Sequence, residues 1–412
     1  MTTAQYRLRH EPLDDEERYA RVALARLVEP GHRGLHTAVG AFGAVAARRA
    51  LVAGRALPGI TDRVAAGAAL RATNADADLA KDLRRLQTCG ARVVCPGDEE
   101  WPDRLDWGLD LQTSHGGALE APPLALFVRG PRRLADTVER SVAIVGARAA
   151  TRYGEAIASE LAAGLSGRGW SVISGGAYGI DAAAHRGALS AGSDAMAGST
   201  VAVLACGVDV AYPRGNDRLL AQVAEGGLVV SELPPGCSPT RVRFLVRNRL
   251  IAALSVGTVV VQAAARSGSL STLNRAGALG RHRMVVPGPV DEAASVGCHQ
   301  ALRADPTGVV LVTRLGEVLE CVGRMGDDAA EPLRGPTHPR DALDATVLRV
   351  LEAVPLRKGA GEASIARTAG VSTLVVQQVL PSLHLAGLVE RHVEGGWKLT
   401  TLGAGGPASR SG

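Results

Sequence analysis

In the middle of the chain, apolar runs alternate with glycine-rich loops and amphipathic segments, in a repeating strand, loop, helix order. Six short apolar runs predict strands at 142–145, 171–173, 201–204, 228–230, 258–261 and 284–286. The segments between them predict helices that begin near Tyr153, Asp181, Asp217, Val246 and Ser271. Because these strands are apolar along their whole length, both faces of the sheet need cover. This indicates an α/β fold with a doubly wound, mainly parallel sheet, whose ligands bind at the carboxyl ends of the strands.

The flanking regions have different patterns. Residues 11 to about 75 have apolar positions at helical spacing, and 91–130 predict short strands that lead into the central sheet. Beyond a Pro-rich, charged stretch, the spacing indicates a helix-turn-helix followed by a hairpin at Gly395-Gly396, a winged-helix pattern. The predicted organisation is an N-terminal helical domain of the helix-hairpin-helix or SAM-like kind (1–90), a core with a β extension (91–325), a linker (326–341), a winged-helix domain (342–402) and a disordered tail (403–412).

Composition narrows the class of protein. The 412 residues are 46% hydrophobic and 21% charged, as in soluble globular proteins. Six cysteines without a C-x-x-C pair argue against a zinc site or a disulfide scaffold, so no metal or cofactor is expected. An apolar signal core and a membrane-length apolar run are both missing, which predicts a cytoplasmic protein without a membrane partner. The central domain has no lysine, which excludes a Walker-type phosphate loop and a Schiff base there.

Charge is concentrated in one stretch. Residues 233–290 contain no Asp or Glu although the whole chain has a net charge of only +5. The eight arginines of this stretch are Arg241, Arg243, Arg247, Arg249, Arg266, Arg275, Arg281 and Arg283. A solvated helix face would also be basic, but acids that could pair with these arginines are missing nearby, which favours a polyanion site. Phe244 lies among them and predicts a stacking platform for single-stranded nucleic acid.

Three loops follow predicted strands and lead into helices. Gly146-Ala147-Arg148 would let a phosphate approach the backbone and meet an arginine. The loop 174–181 has three glycines whose N–H groups could form an anion-binding nest, and 266–272 is a Gly/Ser loop of similar kind. Each loop could equally serve helix packing. Asp181 is predicted to be the N-cap of the following helix rather than a catalyst.

Seven motifs in a fixed order carry a family resemblance. They are Val142-Ala-Ile-Val-Gly-Ala-Arg148, Ser174-Gly-Gly-Ala-Tyr-Gly-Ile-Asp181, Ala184-His-Arg-Gly-Ala-Leu189, Cys206-Gly-Val-Asp-Val-Ala-Tyr-Pro213, Ser231-Glu-Leu-Pro-Pro-Gly236, the segment from Phe244 to Ser255, and Ser267-Gly-Ser-Leu270. Together they resemble the DNA-processing protein A (DprA/Smf) family over about 141–312. Three single positions depart from the family pattern: Ala147 replaces serine, Leu245 replaces proline, and Gln262 replaces an acidic residue. The run Ser271-Thr-Leu-Asn274 also differs from the usual Ile-Thr-Ala.

The resemblance implies a Rossmann-like domain that binds single-stranded DNA, forms a homodimer and helps load RecA recombinase during natural transformation. It also implies that the protein is not an enzyme, so no catalytic residue is expected. Together, the loops, the arginine stretch and the resemblance give the expected DNA-binding set. It consists of Gly146, Ala147, Arg148, Gly175, Gly176, Gly179, Arg241, Arg243, Phe244, Arg247, Asn248, Ser267 and Gly268.

Three other functions fit the residues less well. A phosphoribohydrolase-like nucleotide hydrolase needs a glutamate in a P-G-G-x-G-T-x-x-E loop, whereas 267–274 has no acid. Dinucleotide binding lacks the G-x-G-x-x-G spacing after Gly146. A duplex-DNA regulator would read bases through the helix near 373–385, which has no Lys or Arg and is expected to be interrupted at Pro381. A protein-docking or dimerisation role suits that region better.

Overall fold

The structure is a computed structural model that describes residues 13–112, 117–191, 198–323 and 343–403. The predicted linker 326–341 and the tail from residue 404 lie outside the described residues. The chain divides into two compact units, with the division at residues 330 and 331.

A mainly parallel sheet forms the centre of the first unit. Its strands are β1 (Ala91–Val94), β2 (Leu126–Arg129), β3 (Ser141–Val145), β4 (Ser171–Ser174), β5 (Thr200–Leu204), β6 (Leu228–Ser231), β7 (Gly257–Val260), β8 (His282–Val285) and β9 (Val309–Leu311). Across the sheet the order is β1-β2-β6-β5-β4-β3-β7-β8-β9. The seven strands from β6 to β9 in this order run parallel, whereas β1 and β2 pair antiparallel at one edge. The predicted α/β, doubly wound sheet is confirmed.

Five helices precede the sheet and eight accompany its strands in the described part of this unit. The first group is α1 (Asp15–Leu27), α2 (Arg33–Phe42), α3 (Ala44–Val52), α4 (Asp62–Arg71) and α5 (Ala75–Cys89). The second is α6 (Leu134–Glu139), α7 (Arg152–Ser166), α8 (Ile180–Ser190), α9 (Asp217–Gly226), α10 (Arg241–Leu254), α11 (Gly268–Ala278), α12 (Val296–Ala304) and α13 (Leu315–Val322). Helix α10 begins five residues before the predicted Val246, because its first turn alternates arginines with Val242 and Phe244 and so shows no helical apolar periodicity.

Each central strand contributes to two hydrophobic cores. In β3, Ala143 and Val145 pack with buried residues of α10, whereas Val142 and Ile144 pack with buried residues of α7 and α8. Alternate residues of a strand point to opposite faces, so a strand covered on both sides is apolar throughout. This is the physical basis of the runs in the sequence.

The strand order reverses between β3 and β7. From β3 the chain builds outward through β4, β5 and β6, then returns to place β7 on the other side of β3 and builds outward again. The loops that follow β3 and β7 therefore lead away from each other. In open parallel sheets a crevice forms at such a switch point, outside the carboxyl ends of the strands.

The second unit contains three helices and a strand pair in its described residues. These are α14 (Ala345–Glu352), α15 (Glu362–Ala369), α16 (Thr373–Leu385), and the antiparallel strands β10 (Val389–Arg391) and β11 (Trp397–Leu399). The expected interruption at Pro381 is wrong, because α16 continues through it. Leu380 and Leu383, on either side of the proline, are buried in the core of the unit, and their packing stabilises the helix. No helix in the described parts of either unit is both long and apolar enough to cross a membrane.

Candidate nucleic-acid interface

A cleft with a volume of ≈ 680 Å³ opens at the switch point. Its walls come from the loops after β3, β4, β5 and β7 and from the N-terminal half of α10. Eight residues of the expected DNA-binding set line it: Gly146, Arg148, Arg241, Phe244, Arg247, Asn248, Ser267 and Gly268. The five that do not are Ala147, Gly175, Gly176, Gly179 and Arg243.

Helix α10 forms one wall of the cleft, and its two halves differ in burial. Thr240 caps the helix, with its hydroxyl oxygen accepting from the backbone N–H of Arg243 at 3.3 Å. The first turns carry exposed Arg241 and partly buried Phe244, and every residue from 247 to 254 is buried. The buried second half anchors the helix in the core, which fixes the more exposed first half at the cleft.

The cleft is strongly basic. Arg148, Arg241, Arg247 and Arg266 line it, and among its described lining residues Asp181 is the only acid. The side chains of Arg148, Arg241 and Arg266 are exposed to solvent. Because arginines outnumber acidic residues in this lining, an anion that enters the cleft meets a positive potential.

Asp181 is not the N-cap of α8, so the sequence-based prediction is wrong. The helix begins at Ile180, its N-cap is Gly179, and no side chain makes a capping bond. The Asp181 carboxylate instead turns back and accepts from the backbone N–H groups of Gly175 at 3.2 Å and Ala177 at 3.3 Å. Burial raises the pKa of Asp181, while the nearby Arg247 charge opposes this shift.

This contact also changes the role of the glycine-rich loop. Two of the N–H groups in the expected phosphate nest already bind the Asp181 carboxylate. A Cβ at Gly175 would overlap the Arg247 guanidinium, and one at Gly179, whose φ is +70°, would overlap the carbonyl of Ala147. These glycines make room for internal packing. By contrast, a Cβ at Gly268 would meet nothing within 4 Å, so its backbone is accessible from the cleft.

Arg247 links the parts of the site. Its Nη1 donates to the carbonyl of Gly175 at 2.9 Å and also to the carbonyl of Val203, which ties α10 to the ends of β4 and β5. Burial lowers the pKa of Arg247 to about 10, an effect that the Asp181 charge partly offsets. The guanidinium therefore stays protonated at neutral pH.

Arg243 points away from the cleft. Its Nε and Nη2 donate to the two carboxylate oxygens of Glu29 at 2.9 and 2.8 Å, and its Nη1 donates to the carbonyl of Ser238 at 2.7 Å. The hydrogen bond from Arg243 lowers the pKa of Glu29. The arginine thus already has a bidentate anionic partner, supplied by the segment between α1 and α2.

Four arginines of the acid-free stretch, which has no acid of its own to pair with them, form ion pairs with acids from other parts of the chain. Their ion pairs are Arg243 with Glu29, Arg249 with Glu232, Arg275 with Glu120, and Arg283 with Asp305. All four acids lie outside 233–290, some of them far along the chain. Folding places these acids beside the arginines, and a count of charges within one stretch of sequence cannot detect such pairs.

An aromatic pair lies at the basic wall. The ring centroids of Phe244 and Tyr212 are 5.6 Å apart with an interplanar angle of 50°. The guanidinium carbon of Arg148 lies over the Phe244 ring at 4.8 Å from its centroid, and that of Arg247 at 5.8 Å. Both distances permit cation–π attraction.

The N-terminus of α11 completes the opposite wall. Ser267 caps this helix, and its hydroxyl lies 2.8 Å from the hydroxyl of Ser269. The Asn248 amide donates to the carbonyl of Gly268 at 3.2 Å and so joins α10 to α11. The positive end of the α11 dipole therefore lies beside the exposed Arg266.

The binding set chosen from sequence leaves out several lining residues, among them Tyr212, Arg266, Ser269 and Thr272, although 266–272 was itself recognised as a candidate phosphate loop. These four lie in or directly after loops at strand ends, the positions that the doubly wound fold itself marks. That positional signal could have found them.

An uncharged amide lies just beyond β7, at the carboxyl edge of the sheet. Gln262, at the end of β7, is buried, and its amide pairs with Thr151: the side-chain oxygen accepts from the backbone N–H at 3.0 Å and the nitrogen donates to Oγ1 at 2.9 Å. Throughout the described residues, no group of three or more His, Cys, Asp or Glu is placed to hold a metal ion.

A family model described as DNA recombination-mediator protein A matches residues 92–322, more than half of the chain. The chain belongs to this family. A relative in Mycobacterium tuberculosis that carries the name DprA is 44% identical over 80% of this chain and 82% of its own length. Protein Smf of Escherichia coli is 40% identical over 48% of this chain and 50% of its own length. The X-ray structure of DprA from Streptococcus pneumoniae is 30% identical, covers 74% of this chain and 97% of that one, and has a TM-score of 0.58.

The three departures from the DprA pattern can now be located. Ala147 lies behind the cleft wall, where its backbone N–H donates to the carbonyl of Gln262 at 2.8 Å. Leu245 lines the cleft and is 44% exposed. The uncharged amide of Gln262 forms two hydrogen bonds with Thr151. Since Leu245 alone of the three lines the cleft, it is the departure that a ligand would meet directly.

Proposed function

We propose that this protein is a recombination mediator that binds single-stranded DNA in the cleft and transfers it to RecA recombinase during natural transformation or DNA processing. One observation carries this proposal: four arginines and an aromatic pair line a crevice at the switch point, and the one acid among its described lining residues accepts from backbone N–H groups. Membership of the recombination-mediator family supports the same function.

The geometry suits a single strand. Arg148, Arg241 and Arg266 line the cleft and are exposed, so they are available to bind backbone phosphates. The aromatic pair lies among these cations, where an unpaired base can reach it. A base within a duplex is paired and stacked on its neighbours, so we expect the cleft to prefer single strands.

We propose that the protein acts without catalysis and without a cofactor. The only acid among the described cleft residues, Asp181, is buried and accepts two internal hydrogen bonds, so it is poorly placed as a general base. The uncharged Gln262 gives no second carboxylate at the switch point. A nucleotide hydrolase would require at least one accessible acid in this position.

The first experiment measures binding. Fluorescence anisotropy of a labelled single-stranded oligonucleotide and of its matching duplex is followed across a salt series for the wild type, Arg148→Ala and Arg266→Ala. We expect tighter binding of the single strand, and we expect each variant to lower the salt slope by about 0.7, the value for one lost phosphate contact on a single strand.

The matched control is Arg303→Ala. Arg303 is an exposed arginine in the last turn of α12, which leads into the amino end of β9 and so lies away from the cleft. Equal binding of duplex and single strand, or unchanged salt slopes in both cleft variants, would refute the proposal.

We further propose, from family membership, that the protein forms a homodimer in the cytoplasm and that its second unit is a winged helix. Helix α16 has no Lys or Arg, which favours docking to protein over reading duplex DNA.

RecA loading is tested by the lag before RecA begins to hydrolyse ATP on single-stranded DNA coated with single-strand-binding protein. Wild-type protein should shorten the lag and Arg148→Ala should not. A lag unaffected by wild-type protein that binds DNA normally would reject RecA loading and leave the binding function intact.

A further inference from the structure

Tyr212 presents an aromatic face to the cleft. The chain has only five tyrosines and three phenylalanines, so large exposed rings are scarce. Tyr212 lies in the loop between β5 and α9, lines the cleft and is 40% exposed. Its neighbour Phe244 is more deeply placed on α10. Tyr212 is therefore the more accessible ring of the pair.

Phe244 is already covered on several sides. The Arg148 guanidinium lies over its ring, Arg247 lies at a slightly longer distance, and Tyr212 packs against it at a tilt. Arg247 is fixed by its bonds to the carbonyls of Gly175 and Val203, so it does not move aside easily. A base that stacked on Phe244 would have to displace Arg148, a cation that the same DNA needs for a phosphate.

We propose that Tyr212, and not Phe244, stacks on a base of the bound single strand, while Phe244 holds Tyr212 and Arg148 at the correct distance from each other. This inference rests on the proposed function and specifies its base contact. An exposed ring and an exposed cation both lie against Phe244, so one nucleotide can engage Tyr212 through its base and Arg148 through its phosphate. Such stacking tolerates any base, since every base has a π-face.

Substitution of Tyr212 is the first test. Tyr212→Ala should weaken single-strand binding roughly 5- to 150-fold, the range that corresponds to loss of one stacked base, with an unchanged salt slope because no phosphate contact is lost. Tyr212→Phe keeps the ring and should bind like the wild type. The matched control is Tyr178→Ala, an exposed tyrosine of the neighbouring loop that does not line the cleft and whose hydroxyl lies against Gly215. Because Tyr212 is on the surface, far-UV circular dichroism should show an intact fold in each variant.

An oligonucleotide with abasic sites separates stacking from other effects. It retains the phosphates and lacks the bases, so the wild type and Tyr212→Ala should bind it equally. Photocrosslinking with an oligonucleotide that contains iododeoxyuridine, followed by peptide mass spectrometry, should identify Tyr212. A crosslink at Phe244, or normal binding of Tyr212→Ala to the intact strand, would overturn the inference while single-strand binding by the wild type still stands. Failure of the wild type to bind single strands would overturn the proposed function as well.

Discussion

At the scale of single residues, glycines of the cleft loops serve packing more than ligand approach. Gly175 lies against the Arg247 guanidinium, which donates to the Gly175 carbonyl at 2.9 Å. Gly175→Ala should force that guanidinium to move and lower the free energy of unfolding by about 1–3 kcal/mol, as overpacking of a dense interior does. Urea denaturation measures the change. Gly268→Ala is the control because a Cβ there meets nothing within 4 Å, and equal stability of both variants would show that Gly175 has no packing role.

At the scale of elements, the ion pair between Glu29 and Arg243 joins the segment between α1 and α2 to the first turn of α10. Glu29 is exposed, so DNA can compete with it for Arg243. Glu29→Gln removes the competing charge and should strengthen single-strand binding and steepen the salt slope by about 0.7, as Arg243 gains a phosphate. Anisotropy across a salt series measures both quantities.

The control for this prediction is Glu16→Gln, which makes the same change of net charge at an exposed position on α1. If both variants bind more tightly by the same factor, the effect is one of overall charge and Arg243 is not a latent ligand. If Glu29→Gln alone binds more tightly, Arg243, which the sequence predicted as a DNA contact and the structure pairs with Glu29, also binds the DNA.

Features set by the local sequence pattern could be predicted from the sequence, whereas features set by contacts between distant residues could not. The six strands from β3 to β8 were predicted because burial on both faces imposes an apolar run, as in β3. Strand β9 has only one buried residue, and neither it nor helices α6, α12 and α13 were predicted. The cleft was located because glycines, serines and arginines at strand ends mark the switch point. Asp181 was misplaced because its partners are the N–H groups of the preceding loop instead of those of its own helix. The ion pairs of Arg243 and Arg275 were missed because their acids lie 214 and 155 residues away.

At the scale of the whole molecule, a buried ion pair connects the helical region to the sheet within the first unit. Arg249 is fully buried in α10, and its Nη2 donates to both carboxylate oxygens of Glu232 at 2.7 Å. Gly31, between α1 and α2, packs against the Arg249 guanidinium, because a Cβ built on this glycine would lie 3.2 Å from the Arg249 Nε. Burial raises the pKa of Glu232, and the Arg249 charge opposes that shift. Two separate parts of the unit therefore meet at this ion pair.

Glu232→Gln would leave the Arg249 charge buried without a counterion and should destabilise the first unit by about 3–5 kcal/mol. The second unit has its own hydrophobic core, so its unfolding should not change. Differential scanning calorimetry of the full chain measures both transitions, and we expect only the larger one to move to lower temperature. Glu225→Gln, at an exposed position on α9, makes the same chemical change and should leave both transitions in place. An unchanged first transition in Glu232→Gln would show that the pair contributes nothing net to stability, and a shift of both would show that the two units unfold together.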